Sequence, residues 1–408
     1  MVAMSYCLLP PELLRVGEPT PFPLRDKTGC LLVPRGVMVA TESQRLQIIS
    51  RELYVEEHEG ELVKRALAGK VHHLVRNNAL LGTIAGARAE REDLAHAAAP
   101  PAPGRRLVDP ASSWSGLVLR VAALLQDATQ ADFEAKALRL QQQLLEMLDS
   151  DPDNALLILV QATIADFRDY SATHAVLVAV VCELASRHIP TWNADMRRSL
   201  RLAALTMNVA MTALQNQLAA QDGPLSARQR ELIAGHGPRG AAALRAAGVA
   251  DELWLGAVEH HHDASAGPLL EKTAACQLAR LIQRADIFAA RLSPRKGRTA
   301  MSANSAAKAA FIDEGGQADE AGAALVKSTG ISPPGSYVRL ASGEVAVVLR
   351  RGLRANEPEV AAIVANTGLP LAEPALRNTR MRPNAVTGGV PPHEVRVRLN
   401  VGKLLKLA

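Results

Sequence analysis

Apolar residues recur at helical spacing through the middle of the chain, and they predict its main domain. Nearly every segment between residues 114 and 325 shows this periodicity. Helices are predicted at 131–148, 171–186, 194–219, 251–262 and 272–292. Residues 151–153, Asp-Pro-Asp, end one helix and start another, and Ser226 with Gln229 forms a capping box at a helix start. We expect a bundle of at least six helices.

Alternation of apolar and polar residues predicts β structure on both sides of this bundle. Residues 1–75 form a small β-rich module, with a hairpin turn at residues 26–29 and a helix at 41–53. Residues 326–408 form a C-terminal β appendage, with a hairpin around Ser342-Gly343 and another strand in HEVRVRLNV. Residues 76–113 are predicted as a helical segment followed by an exposed linker, rich in Ala, Pro and Ser from residue 95 onward. The predicted fold class is mainly α.

Composition narrows this prediction. Hydrophobic residues make up 48% of the 408 residues and aromatic residues 3%, so we expect closely packed helices rich in Ala, Leu and Val. The net charge of +5 suits an anionic ligand or a plain solvated surface equally well, and no basic-aromatic cluster predicts nucleic-acid binding. The four separated cysteines, the absence of a signal-peptide pattern and the absence of a membrane-spanning run predict a cytoplasmic protein with free thiols.

Several of the eleven histidines fall at positions that suggest metal chemistry. His174 lies on an otherwise apolar helix, His236 lies in GHGPRG, and residues 260–262 are three consecutive histidines followed by Asp263. Asp286 lies within an Ala-rich helix. Imidazoles and carboxylates bind Fe, Mn and Zn, and helices of a bundle can supply them from facing sides. Two such ions can polarise a phosphate and generate hydroxide from bound water.

Each candidate also has an ordinary explanation. A single histidine on an apolar helix, such as His174, is more often a hydrogen-bonded core residue than a metal ligand. A short histidine run is more often a solvated surface feature. Asp286 could cap a helix or pair with Arg284 or Arg291. The order of the segments is therefore more informative than any one residue.

Taken in order, five segments resemble the HD-GYP family of HD phosphohydrolases, over roughly residues 140–360. They are YSATHAVLVAVV, LSARQRELIAGHGPRGAAALRAAG, AVEHHHDASAGP, RADIFAARLSPRKGRTAM and PPGSYVRLASGEVAVVLRRG. The resemblance implies an HD-type helical bundle that holds one or two divalent transition metals (Fe, Mn or Zn) and acts on cyclic di-GMP. It places the metal ligands at His174, His236, His261, His262 and Asp286, substrate contacts at Arg295 and Arg298, and a supporting acid at Asp263, where the family has Glu.

The chain departs from the family where the name-giving residues should lie. Met207 and Asn208 stand in place of the HD pair, and Met211 stands in place of a lysine. The lost Asp is the carboxylate that bridges the metals, and neither Asn nor Met replaces its charge. The GYP motif is reduced to residues 266–268, Ala-Gly-Pro. We therefore expect catalysis to be weakened or absent.

Three hypotheses follow. The first is a catalytically degenerate receptor or scaffold in cyclic-di-GMP signalling. The second is an active phosphodiesterase or phosphohydrolase with an altered metal site. The third is a purely structural interaction module. A cyclic dinucleotide, other signalling proteins and a second copy of the chain are the candidate partners.

Overall fold

The computed structural model describes residues 6–9, 13–56, 110–130, 132–165, 169–263 and 267–408, together with scattered positions between 59 and 94. Its contacts divide the chain into two units, residues 1–108 and 109–408. Most of the predicted segment 76–113 and Ala266 of the reduced GYP motif lie outside the described residues. None of the described helices is both long and apolar enough to cross a bilayer.

The N-terminal unit contains a small antiparallel sheet, which confirms the predicted β character of this region. Its elements are β1 (Tyr6–Leu8), β2 (Leu24–Arg25), β3 (Leu31–Val33), α1 (Glu42–Ile49) and β4 (Tyr54–Glu56), with strand order β1-β4-β2-β3. Asp26 accepts hydrogen bonds from the backbone amides of Thr28 and Cys30, which closes the predicted hairpin turn. The helix predicted at 41–53 is shorter, because the chain enters β4 at Tyr54.

Most of the helices of the second unit form one bundle. They are α2 (Pro110–Gln126), α3 (Phe133–Ser150), α4 (Pro152–Ala165), α5 (Tyr170–Ser186), α6 (Ala194–Thr206), α7 (Thr212–Ala220), α8 (Ala227–Ala234), α9 (His236–Ala246), α10 (Glu252–His260), α11 (Ala274–Leu292), α12 (Ala303–Phe311) and α13 (Glu320–Thr329). Helix α5 is buried over almost its whole length and packs against α6, α11 and α13. The mainly α fold class is confirmed.

Two boundaries in the bundle differ from the prediction. Helix α2 begins at Pro110, so residues 110–113 belong to a helix rather than to a linker. The long helix predicted at 194–219 is interrupted after Thr206, where a 3-10 turn at Val209–Met211 separates α6 from α7. The Thr206 hydroxyl donates to the Leu202 carbonyl and accepts the indole N–H of Trp254, so a tertiary contact accompanies the break.

The C-terminal part is a five-stranded antiparallel sheet rather than a hairpin alone. Its strands are β5 (Tyr337–Leu340), β6 (Val345–Arg350), β7 (Glu359–Val364), β8 (Pro370–Arg377) and β9 (Val386–Gly389), in the order β8-β7-β6-β5-β9. The prediction of a strand in HEVRVRLNV was wrong: residues 395–400 form no strand, and helix α14 (Val401–Leu407) follows them. Val395 and Leu399 still pack against the sheet's apolar face, so burial without strand pairing explains their alternation.

The sheet is fastened to helix α4. Gly335 approaches this helix so closely that an added Cβ would lie 2.7 Å from the Leu157 carbonyl oxygen, and its φ of +88° also favours glycine. Gln161 donates to the Gly335 carbonyl, and Arg350 pairs with Asp151 at the start of α4. The bundle and the sheet therefore form one packed unit.

Candidate metal centre

Three imidazoles meet where α9 and α10 pack against each other. The Nε2 atoms of His236 and His261 lie 3.0 Å apart, and the ring of His262 lies 4.3 Å from that of His261 between centroids. One nitrogen from each ring falls within 4.8 Å of the other two. His236 and His261 are buried, whereas His262 is exposed. Among the described residues, this group has the side chains and spacing to hold a metal ion.

The backbone fixes which nitrogen each buried imidazole presents. The Nδ1–H of His236 donates to the Ile233 carbonyl, and that of His261 donates to the Val258 carbonyl. Both acceptors lie three residues earlier, among the last carbonyls of α8 and α10, which lack partners within the helix. Because a carbonyl can only accept, each Nδ1 carries the proton and each neutral Nε2 presents a lone pair.

The two Nε2 lone pairs therefore face each other at 3.0 Å. This contact is unfavourable unless a proton or a cation lies between or beside them. A histidine that binds a metal through one nitrogen commonly donates the other N–H to a carbonyl or a carboxylate. This pair of histidines has that arrangement, and the residues fit a divalent transition metal.

Burial also keeps these histidines neutral. Desolvation lowers the pKa of His261 to about 3, with further lowering from the neighbouring His262 and His236. Burial lowers the pKa of His236 too, although its hydrogen bond to Ile233 opposes the shift. Both rings are therefore unprotonated at Nε2 at neutral pH, which is the form that binds metals.

The fourth and fifth predicted ligands lie together on α5 and α11. His174 Nε2 and Asp286 Oδ1 are 2.7 Å apart. Burial would raise the pKa of Asp286, but the hydrogen bond and the electrostatic attraction of His174 outweigh it, and the pKa lies well below its usual value. Asp286 is therefore ionised. His174 Nδ1 is buried and has no hydrogen-bond partner among the described residues.

The structure thus places the five predicted metal ligands in two groups, the three imidazoles of His236, His261 and His262 and the pair of His174 and Asp286. Helix α11, which carries Asp286, packs against α10 as well as against α5. The alternative that Asp286 pairs with Arg284 or Arg291 was wrong, because Asp286 pairs with His174. Arg284 instead pairs with Glu314, and Arg291 donates to Met301.

The two predicted substrate arginines follow α11. Arg295 donates to the Tyr170 hydroxyl at 2.8 Å and lies 5.1 Å from the centre of the Tyr170 ring. That ring stacks on His174 with an interplanar angle of 12°. Arg298 donates to the Ala290 carbonyl, and burial followed by the charge of Arg295 lowers its pKa. The Tyr170 ring therefore lies between Arg295 and His174, which is a candidate metal ligand.

Asp263 does not contact the buried imidazoles by hydrogen bonding. Its carboxylate pairs with His260 Nδ1 at 2.7 Å, and both side chains are exposed. The expectation that Asp263 supports the metal ligands stays a prediction.

Met207 and Asn208, which the resemblance aligns with the HD pair, lie in the turn between α6 and α7. The Met207 side chain is fully buried in the main apolar core, and Asn208 is also buried. The Met207 carbonyl oxygen lies 3.7 Å from the position of an ideal Cβ on Gly240, one helical turn after His236. The turn therefore packs beside α9. The Met207 side chain, however, packs into the apolar core. Met211 is partly buried at the start of α7.

Two residues that shape this site, Tyr170 and Gly237, were not predicted from the sequence. Tyr170 precedes His174 by one helical turn, and this i, i+4 spacing could have indicated their contact. Gly237 lets α9 approach α10: an added Cβ would lie 2.6 Å from the Glu259 carbonyl oxygen. No local signal distinguishes Gly237 from other glycines, because the contact joins different helices.

Comparisons with known proteins give one structural likeness. No family model matches the sequence, and no curated protein sequence matches it. Among solved structures, the chain is similar to Bd1817, a HDG"Y"P protein from Bdellovibrio bacteriovorus, with 13% identity and a TM-score of 0.43. The likeness covers 79% of this chain and 99% of that chain. What the site can do follows from the chain's own residues.

Proposed function

We propose that this chain carries an HD-GYP-like metal-dependent phosphohydrolase domain that is catalytically degenerate and acts as a nucleotide receptor or scaffold in cyclic-di-GMP signalling. The observation that carries the proposal is the facing pair of Nε2 lone pairs on His236 and His261, each held by a backbone carbonyl. His262 adds a third ring nitrogen, and Asp286, which is paired with His174 on the neighbouring helices α11 and α5, is the candidate oxygen donor. Such a set suits Fe, Mn or Zn.

A bound metal of this kind supplies Lewis acidity toward a phosphate oxygen and lowers the pKa of a coordinated water. The chain's own residues position the ligand. Arg295 and Arg298 offer guanidinium groups for phosphate oxygens, and Tyr170 holds Arg295 in place by hydrogen bonding and by its ring face. Asp286 keeps His174 oriented through their hydrogen bond.

The replacement of the HD pair by Met207 and Asn208 supports the proposal that catalytic activity is lost. Met207 is packed into the core and Asn208 is neutral, so this turn contributes no negative charge to offset the repulsion of neighbouring dications. A site with one carboxylate fewer is expected to hold fewer ions or to hold them more weakly. Binding of a phosphate ligand depends less on this charge than hydroxide formation does.

The alternative is an active phosphodiesterase with an altered metal site. A specific observation favours it: one ring nitrogen from each of His236, His261 and His262 lies within 4.8 Å of the other two, and Asp286 is ionised. A purely structural role is the third candidate, in which His236 and His261 pack inside the bundle and need no metal. The following experiment separates the three.

Metal analysis, isothermal titration with cyclic di-GMP and product analysis on one sample form the test. We expect bound metal and nucleotide binding without turnover. Turnover at rates typical of intact family members would refute the receptor proposal in favour of the enzyme. Substoichiometric metal after loading with Mn, Fe or Zn would remove both metal-dependent candidates. His236→Ala should lose metal, whereas His188→Gln, at an exposed histidine outside the cluster, should retain it.

A further inference from the structure

Two loops at one end of the C-terminal sheet expose long apolar side chains next to arginines. The loop between β6 and β7 carries Leu353, which is 95% exposed, and the end of β8 and the following turn carry Leu376 and Met381, at 56% and 58%. A groove of about 780 Å³ between the loops is lined by Leu353 and Leu376 among other residues. Thr379 donates to the Pro358 carbonyl, which holds the two loops together. We call these three apolar side chains, with Arg354, Arg377 and Arg380, the basic rim.

The ion pairs of the basic rim turn positive charge outward. Arg354 and Arg380 share the carboxylate of Glu357, whose side chain is 19% exposed, against 77% and 66% for the two arginines. The Arg377 side chain, at 28% exposed, is likewise more exposed than that of its partner Glu344, at 14%. In each pair the guanidinium is the outer partner, so an approaching surface meets cations first.

One further carboxylate borders the groove. Glu359 is exposed, and it lies opposite Arg350 in the pairing of β7 with β6. An arginine therefore neighbours this carboxylate within the sheet. The side chains that project furthest, Leu353, Arg354 and Arg380, are apolar or cationic.

We propose that the basic rim docks on an anionic phospholipid surface. Exposed apolar side chains insert into the interfacial region of a bilayer, and arginines add attraction to anionic headgroups. The two features occur together here on adjacent loops. The proposal does not depend on the metal site.

An acidic protein segment fits this surface less well. The adjacent edge of the sheet is β8, where a peptide could add as a further strand. Pro370 and Pro374 lie in β8 and lack the N–H groups that strand addition uses. Without strand addition, a peptide would bind through the loop tips alone. A lipid surface engages apolar tips and arginines together.

The test is co-sedimentation of the full chain with vesicles of phosphatidylglycerol and phosphatidylcholine, against vesicles of phosphatidylcholine alone. We expect binding to the mixed vesicles, weakened by salt. Arg354→Gln and Arg380→Gln should each weaken it about fivefold, and Leu353→Ser should weaken it further. Leu353→Trp should show a blue shift of its fluorescence on the mixed vesicles only.

Two matched variants serve as controls. Leu369→Ser removes a leucine that is 67% exposed, from the turn between β7 and β8, and Lys403→Gln removes a cation of α14 that pairs with Glu373. Both should bind vesicles as the unaltered chain does. All substituted side chains are exposed, and thermal melting verifies that each variant folds.

Three outcomes would overturn the proposal. The first is no binding to mixed vesicles at low salt. The second is an equal loss of binding in Leu369→Ser and Leu353→Ser, which would indicate non-specific adhesion. The third is conversion of an oligomer into a monomer by Leu353→Ser without vesicle binding by the unaltered chain, which would assign the rim to self-association.

Discussion

The same local contact orients both buried imidazoles of the candidate centre. His236 and His261 each follow the end of a helix and each donate Nδ1–H to a carbonyl three residues earlier. The helix end needs a donor for its last carbonyls, and the imidazole needs an acceptor for one nitrogen. Both needs are met together, and the remaining nitrogen is left as a metal ligand.

This geometry predicts that a divalent metal stabilises the protein through His261. At a concentration a hundredfold above Kd, a ligand bound only by the folded state adds about 2.7 kcal/mol. We expect Zn or Mn to raise Tm by about 5 °C. His261→Gln should abolish most of this rise, and His188→Gln should preserve it. A metal-dependent rise in Tm that survives in His261→Gln would contradict the assignment.

A second residue-scale prediction concerns Glu314, which pairs with Arg280 and Arg284. Burial would raise its pKa, but these hydrogen bonds and charges outweigh burial and lower the pKa from 4.5 to about 2. A carboxyl group with a lowered folded-state pKa stabilises the fold above its unfolded pKa and loses this contribution as pH falls. Glu314→Gln should therefore destabilise the protein by about 1 kcal/mol at pH 7, allowing for its exposure to solvent.

The pH dependence provides the check on Glu314. The difference in Tm between the unaltered chain and Glu314→Gln should shrink as pH falls from about 4.5 toward 2. Glu252→Gln, at an exposed ion pair with Arg245, should change Tm little at any pH. A constant difference between the unaltered chain and Glu314→Gln across this range would show that the ion pairs do not stabilise the fold.

At the scale of elements, the distance between α9 and α10 decides whether the imidazoles meet. A methyl group at Gly237 would lie 2.6 Å from the Glu259 carbonyl oxygen, and backbone must move to make room. We expect Gly237→Ala to destabilise the protein by about 1–3 kcal/mol. It should also weaken metal binding, because α9 carries His236 away from His261.

Gly116→Ala is the matched control for Gly237→Ala. Gly116 lies inside α2, where an added Cβ would approach the flexible end of Arg120 and no backbone. Alanine should stabilise this helix by about 0.5–1 kcal/mol and leave metal binding unchanged. Thermal melting and metal titration of both variants provide the measurement. Normal metal affinity in Gly237→Ala would show that the contact between α9 and α10 does not set the site.

The elements show where sequence patterns sufficed and where they failed. Periodicity found helix α5, and capping chemistry found the start of α8 at Ser226, because both signals are local. No Gly or Pro lies in the sequence at the break between α6 and α7, so no local signal predicts it. The break is accompanied by a tertiary contact between Thr206 and Trp254. Strand pairing is likewise non-local, so the sequence showed the β5–β6 hairpin but not the strands that extend it.

At the scale of the molecule, the candidate ligands come from four separate helices of one unit, α5, α9, α10 and α11, or from the residues that follow them. The order of motifs along the chain named His236, His261 and His262, whose ring nitrogens meet. It could not predict the ring nitrogen that each histidine presents, or that Tyr170 lies between His174 and Arg295, because tertiary packing sets both.

The division into two units gives the last prediction. All five candidate ligands lie in residues 109–408, whereas residues 1–108 have an apolar core of their own. We expect a chain that begins at residue 109 to fold, to bind metal with unchanged stoichiometry and to melt at the temperature of the main transition of the full chain. Leu24→Ala, at a fully buried position of the N-terminal core, should cost about 2–5 kcal/mol in that unit and leave the metal-dependent transition in place. Calorimetry with and without Mn measures both effects. Loss of metal binding on truncation, or a shift of the metal-dependent transition by Leu24→Ala, would show that the N-terminal unit helps to build the site.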